Sequence, residues 1–363
     1  MSAAAAPARI EGVDLTAMER RAAEVLPPHV YDYFRASAGG AYSLERSVEA
    51  WSAFLHRPRV LRGTGVIDTA TTVLGTPVAS PILVAPMAQQ VAAHPLGERA
   101  TAAAVAAEGG LITVSTHTAV PFAEVQAAGA PWWFQLYVFR DRSISAELVD
   151  RAVQNGARAV VLTVDITGLA HPSPEATYSV DPTEWPRSAP EAERLVNVSP
   201  ERLESARGEG GWWDRGMGLG AIEWLAERSG LPVVVKGVLR ADDARRVVDA
   251  GASAVLVSTH GARSFASSVP SAYALAEVAA AVAGDAEVYV DSGLRSGIDV
   301  ATALALGARA AFVGRPVMWG LAVDGEAGVR TVLRTLRSEL VTAMDLLGAP
   351  TPAELTPDLI APH

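Results

Sequence analysis

The 363-residue chain contains no cysteine. It therefore has no disulfide, no thiolate nucleophile and no cysteine ligand for zinc or an iron–sulfur cluster. Charged residues make up only 19% of the chain, and 40 acidic against 30 basic residues leave a formal charge of −10. Because phosphate backbones and anionic lipids repel such a chain, we expect no nucleic-acid partner and no membrane partner.

Long apolar runs are missing too. The longest uncharged stretch, 69–97, holds four prolines and several polar residues, which is typical of a buried strand with its turns and not of a membrane helix. The first residues lack the basic start and apolar core of a signal peptide. We therefore expect a cytoplasmic protein. Half of the residues are hydrophobic, so a sizeable core can form. The length allows two domains or one large α/β barrel.

One sequence scheme recurs along the chain. The segments 152–165, 247–260 and 303–316 each combine the end of a helix, a glycine suited to terminate it and a short β-branched run. Weaker copies lie at 106–116 and 126–138. Repeats of this length that alternate helix and buried strand indicate repeated βα units.

Eight apolar segments are strand candidates, and each leads to a helical pattern. Such strands predict a parallel sheet covered on its outer face, and eight of them favour a TIM (β/α)8 barrel. A doubly wound sheet is the alternative, but the G-x-G-x-x-G that usually follows its first strand is absent. The candidates are 81–86, 111–116, 131–138, 159–165, 232–238, 254–261, 287–293 and 310–316.

The rest of the chain surrounds this predicted barrel. Residues 1–60 read as an N-terminal tail and helical extension, and 61–363 as the barrel domain. A loop insertion at 166–231 follows the fourth strand, and its first half is rich in proline. Because it leaves the C-terminal end of a barrel strand, where barrel active sites lie, we interpret it as a lid; a merely tolerated insertion is the alternative.

Polar residues gather at the C-terminal ends of the predicted strands. Burying each of them without a partner costs about 1–3 kcal/mol, so core packing alone does not explain their presence. They therefore predict one shared site at this rim of the barrel. The residues are Ser115, Gln135, Tyr137, Thr163, Asp165, Lys236, Ser258, His260, Asp291 and Arg315.

The segments after strands seven and eight are suited to an anion. Gly293, Gly297 and Gly314 allow main-chain N–H groups to approach a phosphate, and Arg295 or Arg315 supplies positive charge. Barrels often bind phosphate at these two loops. Either arginine alone has a simpler interpretation, a surface ion pair.

His260 is the preferred catalytic candidate. An imidazole exchanges protons near neutral pH, and Arg263, three residues later, can bind a carboxylate with two hydrogen bonds. Asp165 occupies the equivalent position in the internal repeat, so it should face the same mouth and orient the imidazole. Lys236 follows three valines and either stabilises negative charge on a bound group or pairs with Asp165 or Asp291. The seven histidines show no H-x-x-x-H spacing, so we expect no metal.

In combination, these motifs resemble the FMN-dependent 2-hydroxy acid oxidases and dehydrogenases, which include glycolate, lactate and mandelate enzymes. Hydroxymandelate oxidases are the most similar in pattern. The resemblance extends over nearly the whole chain. The motifs that carry it are APMA (85–88), HPLGE (94–98), FQLY (134–137), LTVD (162–165), VVKGV (234–238), HGAR (260–263), DSGLRSG (291–297) and GRP (314–316).

The resemblance implies an FMN cofactor, a small-molecule 2-hydroxy acid as substrate and a homo-oligomer, in this family commonly a tetramer. It implies that His260 is the base, paired with Asp165, that Tyr33 and Tyr137 hydrogen-bond the substrate, and that Arg263 binds its carboxylate. The flavin ring would be surrounded by Pro86, Met87, Ala88, Ser115, Gln135, Thr163, Lys236 and Ser258. The ribityl phosphate would be held by Asp291, Ser292, Gly293, Arg295, Gly314 and Arg315.

The substrate side departs from the family pattern more than the cofactor side does. The family normally carries two arginines shortly after LTVD, the second of which helps to bind the substrate carboxylate, whereas His171 and Pro172 stand here. Arginines of the long loop could replace it: Arg187, Arg194 or Arg207. Four further departures are His117 for the tryptophan of some members, Thr259 for asparagine, Ala262 for glycine and Ser292 for glycine.

We therefore expect oxidation of a 2-hydroxy acid with a bulky or aromatic side chain, with O2 or another acceptor reoxidising the flavin. One alternative keeps the fold and FMN but takes a substrate without a free carboxylate, since an arginine is missing. Another is a flavin-binding scaffold that has lost turnover.

Overall fold

Three helices precede the first strand and pack beside the barrel. The side chain of Asp14 accepts the main-chain N–H of Thr16 (2.8 Å) and so caps the first of them. The second begins with Pro28, whose fixed φ suits a first helical turn. Their bounds are α1 (Leu15–Val25), α2 (Pro28–Arg35) and α3 (Ala41–Ser52).

A short antiparallel hairpin follows, formed by β1 (Thr71–Val73) and β2 (Thr76–Val78). At its turn, the main-chain N–H of Leu74 donates to the carboxylate of Glu287, the first residue of a barrel strand. Val73 and Val78 belong to the same buried cluster as the barrel's interior aromatic side chains. The hairpin therefore covers the N-terminal end of the barrel, opposite the rim predicted to carry the site.

Eight parallel strands close into a barrel, each paired with the next along the chain and the last with the first. The predicted TIM barrel is confirmed, and the doubly wound alternative is wrong. The computed structural model describes residues 13–166, 195–199, 201–202 and 213–361. The strands are β3 (Ile82–Val84), β4 (Ile112–Val114), β5 (Trp132–Leu136), β6 (Val160–Thr163), β7 (Val233–Val238), β8 (Ala254–Val257), β9 (Glu287–Val290) and β10 (Ala310–Val313).

The observed strands are shorter than the apolar segments that predicted them. The flanking residues leave the ladder and form the rim. Large side chains fill the barrel interior, where Trp133 lies 5.4 Å from Tyr289 and 5.8 Å from Phe312 between ring centroids. Trp132 and Trp133 are both fully buried.

Helices cover the outer face, each following its strand. In the described ranges, no helix combines the length and apolarity that crossing a membrane requires. The last helix is interrupted by non-helical φ and ψ at Asp324 and Gly325. The bounds are α4 (Gln90–Ala93), α5 (Glu98–Ala107), α6 (Phe122–Ala127), α7 (Arg142–Gln154), α8 (Gly220–Ser229), α9 (Ala241–Asp249), α10 (Ser271–Val282), α11 (Gly297–Ala305) and α12 (Arg315–Leu347).

Most of the predicted lid, 166–231, lies outside the described residues, and so do His171, Pro172, Arg187, Arg194 and Arg207. Its C-terminal part, from Trp213, is described and returns to the barrel rim. The main chain of Trp213 forms a bridge with Phe139, and the N–H of Asp214 donates to the carbonyl of Val138 (2.8 Å). The end of the loop is thereby fixed beside the C-terminal end of β5.

Candidate active site

His260 and Asp165 meet at the C-terminal mouth of the barrel, as the internal repeat predicted. Asp165 follows β6, His260 follows β8, and their Oδ1 and Nδ1 atoms lie 2.9 Å apart. On the other side of the imidazole, Nε2 lies 3.1 Å from the hydroxyl oxygen of Tyr137. The imidazole is thus held at both nitrogens by side chains from two other strand ends.

A bulge in β7 makes room for this pair. The register between β7 and β8 shifts between Lys236 and Val238, and Gly237 has φ +112°. A Cβ at Gly237 would lie 2.5 Å from the Cβ of Asp165. Only glycine therefore allows Asp165 to approach β7 this closely.

The charges at the site favour a neutral imidazole beside an ionised carboxylate. Burial lowers the pKa of His260, and the nearby Lys236 lowers it further, against the opposing effects of Asp165 and Asp291. Burial alone would raise the pKa of Asp165, but His260 and Lys236 outweigh it and hold that pKa below its usual value. With Nδ1–H donating to the carboxylate, Nε2 carries no proton, accepts from the Tyr137 hydroxyl and is the nitrogen that can act as a base.

Lys236 is the only lysine among the 30 basic residues of the chain, and it is buried at this mouth. Its Nζ donates to Ser258 Oγ (2.8 Å) and lies 3.4 Å from Asp291 Oδ2. The ion pair with Asp291 was one of the alternatives that the sequence left open. Ser258 Oγ also accepts the main-chain N–H of His260 (2.9 Å), so Lys236 and the histidine share a partner.

A second row of buried polar groups crosses the neighbouring strands. Ser115 Oγ donates to Gln135 Oε1 (3.2 Å), and Gln135 Nε2 donates to Thr163 Oγ1 (3.0 Å). Thr116, which the sequence interpretation did not single out, donates to the carbonyl of Gln135 and accepts the N–H of Tyr137. Its only sequence signal was its place directly after Ser115.

The profile of the FMN-dependent dehydrogenase family matches residues 22–362. The chain belongs to this family. Its cofactor is FMN, and its reaction is the FMN-dependent oxidation of a 2-hydroxy acid. This family membership was the prediction of the sequence motifs, and it is confirmed.

Its relatives cover nearly the whole chain. Glycolate oxidase 1 from Oryza sativa subsp. indica is 40% identical over 338 residues, 92% of each chain. L-lactate oxidase from a Nostoc species is 38% identical over 356 residues, 93% of this chain and 94% of the relative. A solved structure of mandelate oxidase, with an arginine replaced by leucine and with 2-hydroxy-phenylacetamide, superposes with a TM-score of 0.81 at 36% identity, covering 96% of this chain and 98% of that chain.

The residues at the C-terminal mouth of the barrel fit the flavin ring of FMN. A flavin presents carbonyl and N–H groups along one edge, which need donors and acceptors when they are buried. Gln135, Thr163 and Lys236 supply both, and all three are at most 3% exposed. These side chains would hold the polar edge, and the flavin would supply the acceptor for the two electrons that the substrate loses.

Glycine permits a close approach on the opposite side of the mouth. A Cβ at Gly314 would lie 2.9 Å from Met87 Sδ. Met87 belongs, with Pro86 and Ala88, to the predicted flavin-contacting segment after β3. The structure therefore brings this segment against the loop after β10, which the sequence assigned to the phosphate.

The two arginines predicted for the FMN phosphate contact main-chain carbonyls. Arg295 Nη1 donates to its neighbour Leu294 (2.9 Å). Arg315 donates to the carbonyls of Phe34, Ala36 and Gly261 at 2.8–2.9 Å. Their role toward the phosphate stays a prediction, and the observed role of Arg315 is to join the end of α2 to the loop of His260.

Arg263 and Tyr33, predicted to bind substrate, lie together. The Arg263 guanidinium carbon lies 5.0 Å from the centroid of the Tyr33 ring. Its Nη1 donates to the carbonyls of Tyr33 (2.7 Å) and Ala36 (3.2 Å). The arginine therefore joins the C-terminal turn of α2 to the loop that carries His260.

Three rings form what we call the aromatic wall: His117, Tyr137 and Trp213. Their centroids lie 5.7 Å (His117–Tyr137), 5.3 Å (His117–Trp213) and 5.2 Å (Tyr137–Trp213) apart. The sequence analysis noted His117 as a departure from the family pattern but did not connect it with Trp213. The contact joins residues almost a hundred positions apart, and no local pattern signals it.

Proposed function

We propose that this enzyme oxidises 2-hydroxy acids with an aromatic 2-substituent, resembling mandelate, to the corresponding 2-keto acids, with His260 as the base. The single observation that carries the proposal is that His260 Nε2 lies beside the aromatic wall. The base and a surface of three aromatic rings are thereby available to one small substrate.

His260 would take a proton from the substrate at Nε2, the nitrogen that Asp165 leaves available. Asp165 stabilises the imidazolium that results, because it is ionised and lies 2.9 Å from Nδ1. Burial raises the pKa of Tyr137, so its hydroxyl keeps its own proton while His260 takes one from the substrate. The substrate loses two electrons and two protons in forming the keto acid: His260 would take one proton, and FMN would accept the electron pair and the second proton.

The aromatic wall supports the choice of side chain. An aromatic ring gains about 0.5–1.5 kcal/mol from packing on another ring beyond what burial alone contributes. Trp213 and His117 are only partly buried, so their faces can be covered further by a substrate. A methyl group or hydrogen at the 2-carbon, as in lactate or glycolate, gains little from the same surface.

Arg263 is the cation we assign to the substrate carboxylate. The family's second arginine is replaced in sequence, so one charged contact is lost. A hydrogen bond to a charged group contributes about 1.5–3 kcal/mol, and carboxylate binding should be weakened by that order.

A second candidate substrate follows from this loss. The structural relative with an arginine replaced by leucine carries 2-hydroxy-phenylacetamide, the amide of mandelate. We therefore propose, as the alternative, a 2-hydroxy amide or related compound without a free carboxylate.

The deciding experiment is anaerobic mixing of the purified holoenzyme with mandelate, lactate, glycolate and 2-hydroxy-phenylacetamide. We expect bleaching of the flavin absorption, fastest with mandelate. Replacement of His260 by Asn should slow it by about 100- to 10,000-fold, the usual contribution of a general base. Bleaching by the amide alone would establish the alternative, and no bleaching by any 2-hydroxy compound would reject both.

A further inference from the structure

The turn that carries His260 has an unusual backbone. His260, Gly261 and Ala262 have φ values of +56°, +65° and +62°. Two of these three residues are not glycine, and residues that carry a side chain rarely adopt this left-handed backbone conformation. The turn therefore needs hydrogen bonds from side chains to hold its shape.

Hydroxyl oxygens supply those contacts. The main-chain N–H of His260 donates to Ser258 Oγ (2.9 Å), and that of Ala262 donates to Thr259 Oγ1 (3.2 Å). The N–H groups of Thr259 and Gly261 both donate to Ser292 Oγ, at 3.2 and 2.9 Å. Four successive N–H groups are thus bound by three hydroxyl groups.

Ser292 is the one member of this set that lies outside the turn. Its hydroxyl also donates to Asp291 Oδ1 (2.7 Å), so it uses its one donor and both acceptor sites. Asp291 in turn pairs with Lys236 through its other oxygen (3.4 Å). Ser292 is buried and itself has φ +75°, a conformation that glycine, the family's residue here, adopts without strain.

We propose that Ser292 is a positioning residue for His260. Its hydroxyl holds the N–H groups on both sides of the histidine and links the turn to the Lys236–Asp291 pair. The left-handed φ of Ser292 and Ala262, both glycine in the family pattern, is tolerated because Ser292 and Thr259 supply these bonds. The proposal rests on the proposed role of His260 as the base.

Holoenzyme variants test the proposal. Replacement of Ser292 by Ala removes the hydroxyl and keeps the backbone strain. S292G removes both the hydroxyl and the strain, so it can still be measured if S292A fails to fold. With FMN saturating, the limiting rate of flavin reduction by mandelate should fall tenfold or more in both, while the substrate dissociation constant changes less than twofold. A displaced base lowers the rate of the chemical step and leaves the affinity for the substrate nearly unchanged.

The matched control is Ser271→Ala. The Ser271 hydroxyl donates to the carbonyls of Asp291 (2.6 Å) and Ser292 (3.1 Å) and, within the described residues, makes no hydrogen bond to the turn. Its loss disturbs the same two residues without releasing the N–H groups of the His260 turn. We expect a lower melting temperature and an unchanged reduction rate.

Amide hydrogen exchange gives a readout independent of turnover. Exchange of the 259–262 segment should speed up in S292A and S292G and stay unchanged in S271A. Wild-type reduction rates in the Ser292 variants overturn the proposal, as does a rate loss that only extra FMN restores. Failure of the wild-type enzyme to react with any 2-hydroxy acid would instead reject the proposed function.

Discussion

At the scale of single residues, burial decides the chemistry of His260. Buried beside Lys236, the imidazole loses its charge more easily than it would in water, since both effects lower its pKa. The nearby carboxylates of Asp165 and Asp291 oppose this shift without reversing it. The site therefore holds a proton acceptor that is ready at neutral pH.

The acid limb of the pH–rate profile tests whether His260 is neutral at physiological pH. His260 must be unprotonated to act, and its pKa lies below 6.5, the ordinary value for histidine, so kcat/KM for mandelate should decline only below pH 6.5. Replacing Lys236 by Gln removes the repulsion and should move the limb to higher pH, although the rate also falls. K236R keeps the charge and should leave the limb in place; a wild-type limb above pH 7 would contradict the assignment.

Glu98, the first residue of α5, is a second residue whose pKa is set by burial. It is fully buried, and desolvation raises its pKa from 4.5 to about 7. The protonated form is thus favoured in the folded state. Stability from this group is complete below about pH 4.5 and is lost as the pH rises through about 7.

E98Q should remove that pH dependence. At pH 8 the ionised Glu98 destabilises the wild type by about 3 kcal/mol relative to pH 4.5, since one pKa unit corresponds to about 1.4 kcal/mol. Urea unfolding at several pH values measures it. The control E124Q alters an exposed carboxylate paired with Arg99 and should follow the wild-type profile. Parallel profiles for E98Q and wild type would contradict the prediction.

At the scale of elements, the end of the long loop is docked on the barrel rim by two kinds of contact. Asp214 Oδ2 accepts from Nη2 of Arg142 (2.8 Å) on α7, and Trp213 packs on Phe139 with centroids 4.8 Å apart. This docking brings the indole to Tyr137. A loop segment thereby contributes to the surface that a substrate side chain meets.

Trp213→Ala should therefore change specificity. We expect kcat/KM for mandelate to fall about three- to tenfold, corresponding to the energy of one aromatic contact, while the value for lactate changes less than twofold. Steady-state kinetics with both acids measures the ratio. The control W224A removes an indole that contacts Arg142 instead of Tyr137, and an equal loss for both acids in W213A would show a merely structural role.

At the scale of the whole molecule, the barrel is closed at one end by the hairpin and open at the other, where every predicted polar strand end gathers. The segment before β1 exposes three large apolar side chains. Val60, Leu61 and Val66 are 81%, 102% and 91% exposed. Large exposed apolar side chains close together in sequence are typical of a contact between protein chains.

We predict a homo-oligomer in solution, as the family resemblance implied. Light scattering should give a mass several times the 37.8 kDa of one chain. Replacing Leu61 by Asp should shift the distribution toward the monomer, whereas the same change at Leu96, 49% exposed, is the control. A monomeric wild type would contradict the prediction.

Local sequence patterns determined much of this protein. The eight βα units follow from apolar runs and helix-terminating glycines, since both signals depend on neighbouring residues only. The His260–Asp165 contact followed from the repeat, because equivalent positions in a closed parallel barrel share one rim. The family followed from motifs that lie at these same strand ends.

Only the tertiary structure decided how residues distant in sequence meet. The hydroxyl of Ser292 reaches N–H groups more than thirty residues away, and Arg315 binds the carbonyl of Phe34 from the other end of the chain. Trp213 reaches His117 in the same way. Such contacts depend on barrel closure and strand register, to which all the elements contribute together, so no single stretch of sequence encodes them.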